Sequence, residues 1–321
     1  QAPRAATFHV PAPLFTRRTR LRESPCEARR HLAQRLFMCL LHFSRGEPAY
    51  GRVLVKHAGT SRSDFSCACS TFMARRCHFL DTAIIIGAST GIGRATALKL
   101  ADSYNNIAIT SFRHRDELMS LKKELDAKGC HCLAMSGDAG DMDFMENFIR
   151  TITDTFGDDI DLLVNNAGIS YVGLLTDMTI KDFDRTMKSN IYSVFNSCNR
   201  VVPYMVRAHK GHIINVSSVW GCCGASCEVA YSASKGAVNS FSKALGKELA
   251  PSGIAVNAIA FGAVDTTMNG HLSPDERQML EDEIPAGRMA TPQEAAEFIC
   301  RIAGCGNYLN GQVITFDGAW Q

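Results

Sequence analysis

Apolar residues along this chain gather into short, often β-branched runs, separated by longer stretches in which they recur at helical spacing. Runs at residues 82–86, 106–111, 132–135, 160–164, 212–216, 255–260 and 312–316 read as strands. Helices are expected at 94–103, at 181–207 and around Tyr231, with Ala233, Ala237, Phe241, Leu245 and Leu249 along the packed side of the last. Strands alternating with helices predict an α/β fold built on a parallel, doubly wound sheet.

The first 80 residues do not follow this pattern. They hold 13 Arg and one Lys against four acids, a net of +10, which leaves −8 for residues 81–321 because the whole chain is +2. Pro11, Pro13, Pro25 and Pro48 interrupt them, and only residues 30–43 have sustained apolar content. They are therefore expected to be a basic, low-structure extension to a domain at 81–321. A transit peptide or a nucleic-acid-binding arm has such a composition, but the favoured reading is an over-extended gene model with the working start near Met73.

Composition narrows the function classes. At 46% hydrophobic and 21% charged over 321 residues the chain suits one large core. No apolar run approaches the roughly 20 residues that span a bilayer, so no membrane partner is expected. The acidic core argues against nucleic acid. Cys67, Cys69, Cys77 and His78 have a C-x-C spacing that fits no structural zinc pattern, so no metal is expected. The other cysteines, Cys222 and Cys223 among them, read as reduced thiols of a cytoplasmic enzyme.

Candidate chemistry begins after the first strand. Gly87, Gly91 and Gly93 frame a turn, with Ser89, Thr90 and Ile92 between them, that lets backbone N–H groups and a helix N-terminus approach a pyrophosphate. The second strand ends at Phe112-Arg113-His114-Arg115, where an acid would grip the 2′-hydroxyl of NAD; Arg113 instead suits the 2′-phosphate of NADP, with Arg115 as helper. Asp138 is expected at the adenine edge, and Asn165-Asn166-Ala167-Gly168 as a wall beside the cofactor. Farther on, Tyr231 and Lys235 are one helical turn apart, so that an ammonium sits beside a phenol and, together with the positive charge of an oxidised nicotinamide, draws its pKa down from about 10 toward the working range. Tyr231 is then a general acid, and Ser218 a hydrogen-bond donor to a carbonyl oxygen. Asn190 is expected to organise water leading to Lys235.

The ordered set resembles the short-chain dehydrogenase/reductase family over residues 81–321. GxxxGxG at Gly87, NNAG at Asn165, then Asn190, Ser218, YxxxK at Tyr231 and the strand ending near Gly262 stand in the family's order. The resemblance implies a seven-stranded Rossmann sheet, a catalytic tetrad of Asn190, Ser218, Tyr231 and Lys235, and a homotetramer built on the helices carrying Asn190 and Lys235. It also implies that Lys235 holds the nicotinamide ribose, and that Val264 and Thr266, beside Gly262, fix the carboxamide. Phe261 departs from the family's usual Pro, and Ile86 from its usual Thr.

Within the family the chain is similar to 3-oxoacyl-acyl-carrier-protein reductases, although His209 and Ser252 replace two arginines that meet the acidic carrier. The segment containing Trp220 and Glu228 is also similar to reductases of the 5-aminopentanone group on elongation factor P. Trp220 and Glu228 are accordingly expected to touch substrate, Glu228 by pairing with an amine. The expected activity is reduction of a ketone to a secondary alcohol by NADP(H), on a substrate that is small or borne by acyl carrier protein or elongation factor P, under a polar lid at residues 267–284. The rival reading of another class is a non-catalytic NADP-binding scaffold.

Overall fold

Seven strands, all parallel, line up in the order β3-β2-β1-β4-β5-β6-β7. The computed structural model describes residues 80–270 and 272–321, so the expectations placed on residues 1–79, the Cys67–His78 cluster included, lie outside it. The strands are β1 Leu80–Ile86, β2 Tyr104–Ser111, β3 His131–Ser136, β4 Leu162–Asn165, β5 Gly211–Ser218, β6 Ile254–Phe261 and β7 Val313–Phe316. Seven strands in this order make the Rossmann sheet that the resemblance implies.

Successive side chains of β1 point to opposite faces, and each face carries its own core. Ala83 and Ile85 pack with Leu118, Leu121 and Leu125 of α2 (Arg115–Ala127) and with Ile299 of α9 (Pro292–Ala303). Ile84 and Ile86 pack with Phe148 and Ile152 of α3 (Met142–Phe156), Val201 of α5 (Ser193–Ala208) and Val238 of α7 (Val229–Leu249). The strand order reverses between β1 and β4, and their carboxyl ends, Ile86 and Asn165, are register partners. A crevice opens there, beyond the strand ends.

Three local expectations differ from the structure. The expected helix over 181–207 is three pieces: α4 (Ile180–Met187), a π-helical turn Lys188–Tyr192, and α5. The wide turn falls on Asn190, whose side chain is committed to other backbone, and such turns recur where a helix presents a functional group. The helix after the glycine turn, α1 (Gly91–Leu100), starts three residues early and takes two of the glycines into its first turn. On α7 the buried stripe is Ala230, Ser234, Val238, Ser242 and Gly246, whereas Ala233 is exposed and Ala237, Phe241 and Leu245 are half-buried. Small and hydroxylated residues face the sheet because α7 lies close on β5 and β6, and Gly246 also meets the turn before β7, where an added Cβ would stand 2.8 Å from the Gly311 backbone.

Residues 267–284, expected as a lid, form a 3-10 turn, Thr267–Asn269, and helix α8 (Pro274–Glu283). Ser273 caps α8 with a reciprocal bond pair to Glu276, and Arg277 grips Asp265 with two hydrogen bonds of 3.1 and 2.8 Å. Among the described residues no helix is long and apolar enough to cross a membrane.

Candidate active site

The glycine turn at the end of β1 is shaped by contact as well as by torsion. Gly87 has φ +83°, and any Cβ there would lie 2.6 Å from the Ala167 Cα. A Cβ on Gly93 would collide with the Gly87 carbonyl, which already accepts a hydrogen bond from Asn166 Nδ2 at 2.6 Å. The turn is pinned to β2 by the Gly87 and Ala88 N–H groups, which share the Thr110 carbonyl at 2.9 and 3.0 Å. Ser89, Thr90, Gly91 and Ile92 thereby line one end of a cleft of about 900 Å³, with Thr266 packed across Gly91.

Along the same cleft lie most of the residues singled out in the sequence. Arg113 stands at its lip, stacked 5.9 Å from the Phe112 ring and without an ion pair among the described residues. Asp138 lines it too, bonded to the Gly140 N–H at 2.9 Å and to Lys188 at 3.0 Å. Ala167, Gly168, Gly262, Val264 and Thr266 complete its walls. Two residues stand elsewhere. His114, not Arg115, lines the cleft. Asn165 lies in a buried network instead: its Nδ2 donates to Asn215 Oδ1 at 2.8 Å and its Oδ1 accepts from Ser197 Oγ at 2.6 Å. A sequence pattern makes adjacent asparagines look alike; strand alternation sends Asn165 into the core and leaves Asn166 at the turn.

At the other end of the cleft Tyr231, one turn into α7, meets Ser218, the last residue of β5. Ser218 Oγ accepts from the Trp220 N–H at 3.2 Å and lies within hydrogen-bond reach of the Tyr231 phenol. Burial pushes the Tyr231 phenol up to about 12; a hydrogen bond with Ser218 opposes this and the Glu228 charge adds to it. Lys235 is buried, its Nζ donates to the Val216 carbonyl at 2.8 Å, and burial pulls its pKa down to about 8. Nζ lies 5.7 Å from the Tyr231 ring centre. In the protein alone desolvation sets the direction of the shift, and what opposes it is Ser218 rather than the expected pull of Lys235. Tyr231 is held as an acid, and forming the phenolate calls for further positive charge, such as an oxidised nicotinamide carries.

Asn190 is fully buried behind this pair. Its Oδ1 accepts from the Ile169 N–H at 2.8 Å, and its Nδ2 donates to the Ile169 carbonyl and to Ser234 Oγ, both at 2.9 Å. A Cβ added at Gly168 would stand 3.4 Å from both Asn190 Oδ1 and Lys235 Nζ, so glycine keeps the space between them open. The residues fit a dinucleotide: a glycine cradle and helix N-terminus at one end, a lysine and a phenol at the other.

Trp220 and Glu228 both line the cleft. Trp320 was not foreseen: it meets Trp220 edge to face, centroids 4.8 Å apart, and lines the cleft beside it. Its signal in the sequence is the Asp317-Gly318 turn after β7; Asp317 accepts from the Ala319 and Gln321 N–H groups and folds the tail back. Ser170, from the loop after β4, was also missed. Phe261, in the family's proline position, is buried, extends β6 opposite Ser218 and Phe316, and packs on the Phe316 ring at 5.6 Å.

The family model described as short chain dehydrogenase matches residues 81–277. An uncharacterized oxidoreductase of Bacillus subtilis, YmfI, is 37% identical over 241 residues, 74% of this chain and 98% of the relative. A 3-oxoacyl-[acyl-carrier-protein] reductase of Staphylococcus epidermidis is 34% identical over 74% of this chain and 97% of its own, and the Thermotoga maritima reductase of that name is 37% identical over 73% and 95%. Among solved structures, a doubly substituted short-chain dehydrogenase/reductase of Serratia marcescens superposes with a TM-score of 0.70 at 28% identity, covering 76% of this chain and 99% of its own.

Proposed function

The chain belongs to the short-chain dehydrogenase/reductase family, oxidoreductases of CH–OH and C=O groups that use a nicotinamide cofactor, and within it we propose an NADPH-dependent ketone reductase. The observation that carries this reading is the meeting of Ser218, Tyr231 and Lys235 at one end of a cleft whose other end is a glycine cradle with Arg113, which has no ion pair among the described residues. Bound there, the reduced cofactor supplies a hydride to the carbonyl carbon.

The chain's own residues handle the proton and the charge. Ser218 donates to the carbonyl oxygen and stabilises the developing oxyanion. Tyr231, protonated at neutral pH, passes its proton to that oxygen, completing a secondary alcohol. Lys235 holds the nicotinamide ribose, and with Asn190 and the Ile169 carbonyl returns a proton to Tyr231 from solvent.

Arg113 supports NADP(H) over NAD(H) through the 2′-phosphate, assisted by His114. The relatives named 3-oxoacyl-[acyl-carrier-protein] reductase support a ketone carried as an acyl group. The elongation factor P alternative keeps one favouring observation, that Glu228 faces the cleft. A homotetramer through α5 and α7 is supported by the exposed Tyr192 and Phe195 and the half-buried Phe241 and Leu245. The eight described cysteines are free thiols, which supports the cytoplasm.

The test is cofactor oxidation by the purified protein with acetoacetyl thioester, NADPH against NADH. Ketone-dependent turnover with NADPH preferred supports the reading; cofactor binding without turnover of any ketone supports the scaffold instead.

A further inference from the structure

Helix α8 is polar and has little to rest on. None of its residues is buried, only Leu280 and Glu281 are half-buried, and among the described residues it packs along no other helix or strand. Beyond its carboxyl end Ile284 is buried beside Gly318 and anchors the chain there. Nearer the start of the helix, Arg277 donates to both oxygens of Asp265, at 3.1 and 2.8 Å, and through Nε to Glu281 at 3.1 Å. The Glu281 bond is local to the helix. Asp265 lies 12 residues back and outside it, so the Asp265 bonds tie the helix to the rest of the domain.

Asp265 is a fixed post for that tie. Its N–H donates to the Ala290 carbonyl at 2.8 Å, the Ala290 N–H donates to the Ala263 carbonyl at 3.0 Å, and Val264 and Ala290 form a parallel bridge. Its neighbours Val264 and Thr266 line the cleft, and Thr266 packs across Gly91. An exposed ion pair contributes little to stability, but a guanidinium that grips both carboxylate oxygens fixes direction as well as distance.

The side chains set by that direction are apolar. Leu280 follows Arg277 by three residues, on the same side of α8, and it lines the cleft together with Leu272, just ahead of the helix. Trp220, Trp320 and Val172 add to this lining. Backbone N–H groups, hydroxyls and Arg113 suit phosphates and riboses, whereas an apolar lining suits the tail of a ketone. We propose that Arg277 is a positioning residue for the substrate: by gripping Asp265 it seats α8 so that Leu280 and Leu272 wall the cleft against the apolar tail of the ketone. This rests on the ketone-reductase reading.

Two ketones separate seating of the wall from general damage: N-propyl acetoacetamide, which carries a tail, and acetoacetamide, which lacks it. In Arg277→Gln the KM for the propyl ketone is expected to rise about fivefold with kcat within about twofold, while acetoacetamide reduction and NADPH affinity each stay within about twofold. Asp265→Asn should do the same, and the double variant should be no worse than either single change, because both act through one contact. Leu280→Ala, which removes part of the wall and leaves the ion pair, should also weaken the propyl ketone more than acetoacetamide, so the inference remains testable if a charge variant folds poorly. An unchanged KM for the propyl ketone in Arg277→Gln, or equal losses with both ketones or with NADPH, overturns the positioning role and leaves the reductase reading intact. No turnover of either ketone by the wild type overturns both.

Discussion

Asn190 holds Ile169 by both of its backbone groups, accepting from the N–H at 2.8 Å and donating to the carbonyl at 2.9 Å. One buried amide thus fixes the loop after β4 against the π-turn between α4 and α5, behind Tyr231 and Lys235. Asn190→Ala leaves both Ile169 groups and Ser234 without that partner. A loss of about 2 kcal/mol in urea unfolding is expected, together with a fall in kcat greater than the rise in KM. Unchanged stability would mean that the loop is held by other contacts.

Lys235 makes a prediction in pH. Its pKa is about 8 in the folded protein against an ordinary 10.5, so between those values the unfolded chain binds more protons than the folded one. Stability from this group therefore rises with pH across that window, and below about pH 8 its burial costs about 3 kcal/mol. Compared by urea unfolding, Lys235→Met should lose stability relative to wild type by up to about that amount as pH climbs from 7.5 to 10.5. A difference independent of pH would contradict a lysine titrating near 8.

Arg113 stands at the lip of the cleft with only the Phe112 ring as partner among the described residues. Arg113→Ala should raise KM for NADPH about tenfold or more and leave NADH nearly unaffected. Equal effects on both cofactors would remove the 2′-phosphate role.

Trp320 meets Trp220 where no sequence pattern had joined them. Trp320→Ala should raise KM for a ketone about tenfold while NADPH affinity, read by fluorescence titration, stays within about twofold. A parallel loss of both would make the pair a prop for the whole cleft.

The strands, the glycine turn and the order Asn190, Ser218, Tyr231, Lys235 were legible because each is a local pattern: a β-branched run, a spacing that only glycine fills, two residues one helical turn apart. What was not legible depends on neighbours distant in sequence. The packed face of α7 is drawn in serine, alanine and glycine because the helix lies close on β5 and β6, so a search for large apolar residues finds the wrong stripe. Asn165 and Asn166 are separated only by strand alternation. Burial pulls the Lys235 pKa down to about 8, which no spacing reveals. Ser170 reaches Glu228 across 58 residues.

The central claim is that Tyr231 gives the proton that completes ketone reduction. The most direct measurement is single-turnover NADPH oxidation by wild type and Tyr231→Phe with N-propyl acetoacetamide, with cofactor affinity measured in parallel. The account predicts a fall of about 100-fold or more in the chemical step with NADPH affinity within about twofold. A Phe variant that reduces the ketone at near wild-type rate would contradict it.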